Sequence, residues 1–241
     1  MNKNPNLKLI GFFGQSGAGK TTIIRNVKQS NNGYNIIPST GIIRYLFGKN
    51  PRSYSSPNDI LNRYGRDLDE LKPLERNAKI DEMYEKYIRS QMQLLNDFSS
   101  EVFNQFREIY PSKTIILFDR SPIDFYAITA CGVNYLKSIL KNDLNPMCLK
   151  LLDICKKTAE TNTQNLFDVI CVTYPWKKSE LSTLNDGVRD HYLSEFYVGD
   201  NWYNVINSIN LGNVETFPIE GDITELMQRA KVVDNFITKI K

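Results

Sequence analysis

The chain is poor in the residues on which whole classes of chemistry depend. It has a single histidine, His191, in 241 residues. A Ser-His-Asp or Cys-His enzyme would have to use that one residue, and a histidine-rich zinc site is excluded. The four cysteines, Cys131, Cys148, Cys155 and Cys171, form no C-x-x-C pair and each sits in an apolar stretch. That is the pattern of buried thiols in a reducing compartment. No apolar run approaches membrane-spanning length, and the polar, Asn-rich N-terminus does not read as a signal peptide. A cytoplasmic protein with no membrane partner is expected. The net charge of +3 is mild and neither demands nor excludes nucleic acid. There is no internal repeat. Length and composition are those of one globular unit, read as a single domain over residues 1–241.

What is present is a glycine-rich motif of high specificity. Residues 14 to 21 read Gly-Gln-Ser-Gly-Ala-Gly-Lys-Thr, matching G-x-x-x-x-G-K-[ST] at every constrained position. Gly14, Gly17 and Gly19 let the backbone curl into a nest whose N–H groups point at phosphate oxygens. Lys20 reaches the β- and γ-phosphates and the Thr21 hydroxyl ligates Mg²⁺. The flanks supply the context: Leu7–Phe13 is an apolar run of strand length, and the chain continues from Lys20 as a helix. A helix N-terminus adds anion affinity of its own. Gly14, Gln15, Ser16, Gly17, Ala18, Gly19, Lys20, Thr21 and Thr22 are therefore the expected binding loop for a nucleoside triphosphate.

Strand-like and helix-like segments alternate, which predicts a parallel α/β sheet wrapped by helices. Strands are expected at Leu7–Phe13, Tyr34–Ile37, Thr114–Phe118, Asp168–Thr173 and Val214–Phe217. Helices are expected over Lys20–Ser30, over Arg76–Ser99 with an apolar stripe near a 3.6-residue period, and from Ser121 with Pro122 at the first helical position. Asp222 to Glu225 reads as a capping box opening a last helix that reaches Ile240. The Pro- and Ser-rich stretch between Gly48 and Pro57 reads as a mobile loop, and the polar 175–190 segment as a lid.

A second motif follows Thr114–Phe118, an apolar strand that delivers Asp119 and Arg120 at its carboxyl end. Ligands of open α/β sheets bind there. Asp119 is placed to hold the Mg²⁺ hydration shell, and Arg120 to clamp transferring phosphoryl oxygens.

Gly14–Thr22 together with Phe118-Asp119-Arg120-Ser121-Pro122-Ile123-Asp124 resembles the P-loop kinases of the nucleoside and nucleotide branch. The likeness is to the AAA-like group that includes nicotinamide-riboside kinase domains and phage kinases. Asp186-Gly187-Val188-Arg189 matches the Asp-Gly-x-Arg of that group's lid. The resemblance implies a P-loop NTPase fold, a five-stranded parallel sheet of order 2-3-1-4-5, and ATP with Mg²⁺. It also implies that Arg189 is a lid arginine, which joins Lys20, Asp119 and Arg120 in the expected catalytic set, with Thr21 and Asp119 at the metal.

The acceptor is less defined. Hydroxyl kinases of this group often keep a carboxylate just after the second strand, but here Pro38-Ser39-Thr40-Gly41 follows. A phosphate acceptor is already anionic and needs positive clamps instead. Residues 39–110 are expected to form a helical acceptor-binding insertion. This stretch carries Arg44, Arg52, Arg63, Arg66 and Arg76 with Tyr45, Tyr54 and Tyr64 interleaved. Arginine with aromatics suits a nucleotide, or a nucleotide within DNA such as a hydroxymethylated pyrimidine. Arg44, Arg63 and Arg66 are the expected contacts. A hydroxyl acceptor would instead need Asp119 or Asp124 as base. The alternative is a P-loop ATPase or switch without an acceptor. A homodimer is compatible with either reading.

Overall fold

Strands that are buried on both faces belong in a parallel sheet covered by helices, and the apolar runs of this chain form one. The computed structural model describes residues 6–15, 18–27, 34–49, 54–106, 113–174, 200–220 and 226–240. In chain order these are β1 (Leu7–Phe13), α1 (Lys20–Asn26), β2 (Asn35–Ser39), α2 (Ile42–Lys49) and α3 (Pro57–Tyr64). A single 3₁₀ turn (Leu68–Glu70) leads into α4 (Pro73–Phe106), β3 (Thr114–Phe118), α5 (Pro122–Leu140) and α6 (Pro146–Leu166). β4 (Val169–Thr173), α7 (Asp200–Ser208), β5 (Glu215–Ile219) and α8 (Leu226–Ile237) complete them.

The five strands form one sheet of order β2-β3-β1-β4-β5, every neighbouring pair parallel. The period-two alternation of side chains divides its residues between two cores. Leu7, Leu9, Phe13, Ile116, Phe118, Ile170 and Val172 face one layer, which α2, α4, α5, α6 and α7 cover. Ile10, Phe12, Ile115, Leu117, Val169 and Cys171 face the other, covered by α1 and α8. Gly11 lets β1 lie close beneath this packing, because a Cβ there would sit 2.9 Å from the Ile170 side chain and 3.0 Å from Phe167. Within the sheet, proline occurs only in the two outermost strands, at Pro38 and Pro218, where a missing N–H disrupts no ladder.

A third core lies among helices alone. Ile60, Leu68, Ile80, Met83, Tyr84, Tyr87 and Ile88 pack against Val133, Leu136 and Leu140 of α5. α4 runs from before Arg76 to beyond Ser99 because Val102 continues the buried stripe of Leu95 and Phe98. α1 is shorter than expected within the described residues: Val27 is already extended.

The stretch expected as a mobile loop is instead built into the helical layer on both sides of residues 50–53, which lie outside the described residues. Tyr54 and Ser55 are buried. The Tyr54 hydroxyl donates to Asp97 at 2.7 Å, and Gln91 Nε2 donates to the Ser55 carbonyl at 2.7 Å. Ser56 and Asp59 form a reciprocal capping box with Pro57 at the start of α3. The serine and proline that signal a loop are here a helix start. The capping box expected at Asp222–Glu225 and the lid over 175–190, with Asp186, Arg189 and His191, lie outside the described residues.

Candidate active site

The carboxyl ends of β1, β3 and β4 converge where the glycine loop leaves the sheet. Gly14 must be glycine because a Cβ there would stand 2.6 Å from the Thr173 carbonyl oxygen of β4. Gly19 caps α1 in the left-handed region, at φ 82°, a conformation that costs glycine little. Ser16 and Gly17 fall outside the described residues.

Lys20 is buried, and its Nζ donates to the carbonyls of Gly14 at 2.6 Å and Gln15 at 2.8 Å. The Thr21 hydroxyl donates to a carboxylate oxygen of Asp119. Thr22, next along α1, is exposed. Arg120 Nη1 donates to the Gly14 carbonyl at 3.2 Å and to Asp124 Oδ1 at 3.1 Å. Lys20 and Arg120 therefore share one carbonyl, that of Gly14.

Asp124 is the hidden strut of this arrangement. Its Oδ1 accepts from the Gly14 N–H at 3.3 Å as well as from Arg120. Its Oδ2 accepts from the Ser121 N–H at 2.8 Å and the Ser121 hydroxyl at 2.7 Å. One carboxylate thus caps α5 and ties the glycine loop to it. Burial pushes its pKa above the ordinary carboxylate range, while Arg120, Lys20 and the Ser121 donors pull it back. With four donors on its two oxygens, Asp124 has no lone pair directed at a substrate. Asp119 differs: among the described residues only Oδ2 is engaged by a side chain, leaving Oδ1 open.

Two residues that the sequence reading passes over secure the loop from the other side. The Tyr203 hydroxyl donates to the Thr173 carbonyl at 3.0 Å and is hydrogen-bonded by the Gln15 backbone. Arg229, fully buried on α8, donates from Nη1 to the Ala18 carbonyl at 3.3 Å and the Tyr174 carbonyl at 3.0 Å. Tyr174 and Tyr203 stack with ring centroids 4.9 Å apart. Both shoulders of the loop, Gln15 and Ala18, are thereby tied to the end of β4. No motif marks either residue. They act through backbone carbonyls that only the folded chain brings near.

The expected acceptor contacts are placed differently. Arg44 is on α2, Arg63 in the last turn of α3 and Arg66 just beyond it; all three are exposed. Among the described residues none has a hydrogen-bond or ion-pair partner, and nothing draws them to the glycine loop. β2 runs on to Ser39, two residues past the expected end at Ile37; no carboxylate follows it in Thr40 and Gly41, and the Ser39 carbonyl accepts from the Asp119 N–H at 3.4 Å. Among the described residues no group of three or more His, Cys, Asp or Glu is gathered for a metal. No described helix is long and apolar enough to cross a membrane.

A glycine loop between β1 and α1, under a parallel sheet of order 2-3-1-4-5, defines the architecture. This is a P-loop NTPase fold. No family model matches the chain, and no curated relative matches it. Among solved structures it is similar to the NadR protein in complex with NR, at 16% identity over 97% of this chain, with a TM-score of 0.43. The alignment covers 51% of the NadR chain, so this chain spans about half its length. It is also similar to EHV4-TK complexed with TP4A, at 13% identity, with 96% of this chain and 91% of that one covered and a TM-score of 0.47. Both identities are below 25% and both TM-scores below 0.5, so neither likeness bears on what this chain does.

Proposed function

We propose that the chain is a Mg-ATP-dependent kinase that transfers the γ-phosphate to a nucleoside- or nucleotide-type acceptor. The observation that carries this reading is the contact between Thr21 and Asp119, beside a Lys20 and an Arg120 that both rest on the Gly14 carbonyl. A hydroxyl and a carboxylate in contact are the hard oxygen ligands that Mg²⁺ takes alongside phosphates and water, so the residues present fit that ion. When bound, Mg²⁺ neutralises charge on the β- and γ-phosphate oxygens.

The chain's own residues supply the rest. Lys20 exchanges two carbonyl partners for phosphate oxygens, so it is held in place before the donor arrives. Arg120 is aimed by Asp124 at the mouth of the loop, where its guanidinium can meet the transferring group. Gln15, Ala18, Gly19, Thr21 and Thr22 complete the donor cradle, with Ser16 and Gly17. Arg189 serves as the lid arginine. The helices between β2 and β3 form the acceptor side, where Arg44, Arg63 and Arg66 receive an acceptor that carries phosphate. For a nucleotide no base is needed. For a hydroxyl on a modified pyrimidine in DNA, Asp119 Oδ1 is the open carboxylate oxygen and Asp124 is not available.

The test is ATP consumption with and without nucleosides, nucleotides, nicotinamide riboside and hydroxymethylpyrimidine DNA. One acceptor should become phosphorylated, and Lys20→Ala should reduce transfer at least about a hundredfold, since such a contact is worth about 3 kcal/mol in the transition state. ATP hydrolysis indifferent to every acceptor would overturn the kinase reading in favour of an ATPase or switch.

A further inference from the structure

Acidic residues are absent from the first 58 positions of the chain, which carry eight basic ones: Lys3, Lys8, Lys20, Arg25, Lys28, Arg44, Lys49 and Arg52. All 27 acidic residues lie beyond, against 22 basic ones. The net charge of +3 conceals this segregation. Charge asymmetry of this kind is an electrostatic footprint for a polyanion.

The structure gives part of that segment a specific surface. α2 begins three residues after Ser39, whose carbonyl accepts from the N–H of Asp119. It therefore starts beside the proposed transfer site. At 100° per residue, Phe47, Arg44, Gly48, Tyr45 and Lys49 follow one another around a continuous arc of this helix, opposite the buried Leu46. All five are exposed, Tyr45 at 53% and Phe47 at 43%. Lys49 Nζ lies 5.8 Å from the Tyr45 ring centroid.

Among the described residues, a Cβ at Gly48, central in that arc, would meet nothing within 4 Å, so none of them requires glycine there. Inside a helix it costs stability that alanine would recover. Its effect is to leave a low place between Arg44 and the Tyr45 ring, while the Phe47 ring packs 5.1 Å from that of the buried Tyr54. An exposed tyrosine ring beside a bare stretch of backbone, with Arg44 and Lys49 flanking that pair, matches a strand whose base stacks and whose phosphates pair.

We propose that this face of α2 binds a single-stranded nucleic acid and delivers its acceptor group to the site at the end of β3. This deepens the kinase reading and rests on it for the acceptor role; the binding stands by itself. The stacking surface accepts a base from DNA or RNA, and the cations accept either backbone.

The experiment is fluorescence anisotropy of the full chain with labelled oligodeoxynucleotide and oligoribonucleotide strands of about 12 nucleotides, alongside binding of a fluorescent ADP. Strand affinity should fall with salt at a log–log slope of roughly −1.5, for two contacted phosphates. Tyr45→Ala should weaken it roughly tenfold and Tyr45→Phe should not, since the ring does the stacking. Gly48→Leu should block the strand, while Gly48→Ala should preserve or raise thermal stability. ADP binding should be unchanged in all four variants. A preference between the DNA and RNA arms would identify the source of the strand. Binding that ignores both Tyr45→Ala and Gly48→Leu would overturn the proposal. So would binding to anionic vesicles but to neither strand. Phosphorylation of a free nucleoside with no strand binding would sink this inference and leave the kinase standing. Strand binding without any transfer would sink the kinase and leave the surface.

Discussion

Replacing Asp124 by Asn separates a strut from a catalytic base. The amide keeps the size of the carboxyl but presents one oxygen where the native group presents two. With its nitrogen toward Gly14 and Arg120, donors face donors. With its nitrogen toward Ser121, the hydroxyl can rotate to accept, but the Ser121 N–H at the start of α5 loses its partner. Leaving such a group buried and unsatisfied costs about 1–3 kcal/mol. Arg120 also loses its carboxylate, and losing one member of a buried pair costs about 3–5 kcal/mol. The Arg120 side chain is 21% exposed against 0% for Asp124, so water recovers part of that. A net loss of about 3 kcal/mol is expected, equivalent to a fall in melting temperature of roughly 6–12 °C for a chain of this size. Urea unfolding at neutral pH measures the loss. Binding of an ATP analogue should weaken with it, because Arg120 and the Gly14 N–H then face a neutral amide in place of a carboxylate. A variant of native stability and native analogue affinity that had lost only turnover would refute this reasoning. The carboxyl would then act on a proton in the transition state.

Other substitutions test other parts of the frame. Arg229→Met should cost about 2–3 kcal/mol in urea unfolding and weaken ATP-analogue binding, with Arg229→Lys intermediate, because hydrogen bonds from a charged donor to Ala18 and Tyr174 are lost; native affinity in a stable Met variant would remove its role at the loop. At Gly132 a Cβ would lie 2.0 Å from the Tyr87 hydroxyl oxygen. Gly132→Ala should therefore destabilise by at least about 1–3 kcal/mol, and adding Tyr87→Phe should recover part of it; a neutral single variant contradicts the close approach of α4 and α5. Burial pushes the Cys131 and Cys155 thiols up to about 11, so at pH 8 roughly one in a thousand is thiolate. A disulfide reagent should label them only as the protein unfolds, and rapid labelling of the native chain at either position would contradict their burial.

The parts legible in the sequence are those in which a local pattern carries the physical cause. Leu7–Phe13 reads as a strand because it is apolar throughout, and a strand apolar throughout is one covered on both faces. Lys20 and Thr21 follow from loop spacing, and Asp119 from its place at the end of an apolar run. Asp124 is visible as the carboxylate three residues after the Ser121 cap, but its bond to Gly14 crosses 110 positions. Around Ser56 the local signal misleads, since serine and proline signal a turn and a helix start alike. The capping box is decided by Asp59 three residues on. Arg229 is beyond local reading: its carbonyl partner Ala18 is 211 residues away, and a carbonyl has no residue type to recognise.

The prolines of the outer strands have a consequence for how copies of this chain can meet. In β2 the Asn35 N–H and the Ser39 carbonyl are turned inward, bonded to Lys113 and Asp119. Strand alternation therefore turns the main-chain groups of Ile36 and Pro38 outward. In β5 the Glu215 N–H and the Ile219 carbonyl face inward, bonded to Asp168 and Tyr174, so Thr216 and Pro218 face outward. Each rim thus ends in a single outward N–H followed by a proline that has none. A sixth strand would find no continuous ladder on either side, and stacking of sheets edge to edge is blocked while the fold is intact. Among the described residues, the surfaces left for pairing of two copies are helical, and Met147, Leu149 and Ile154 of α6 are among their exposed apolar side chains.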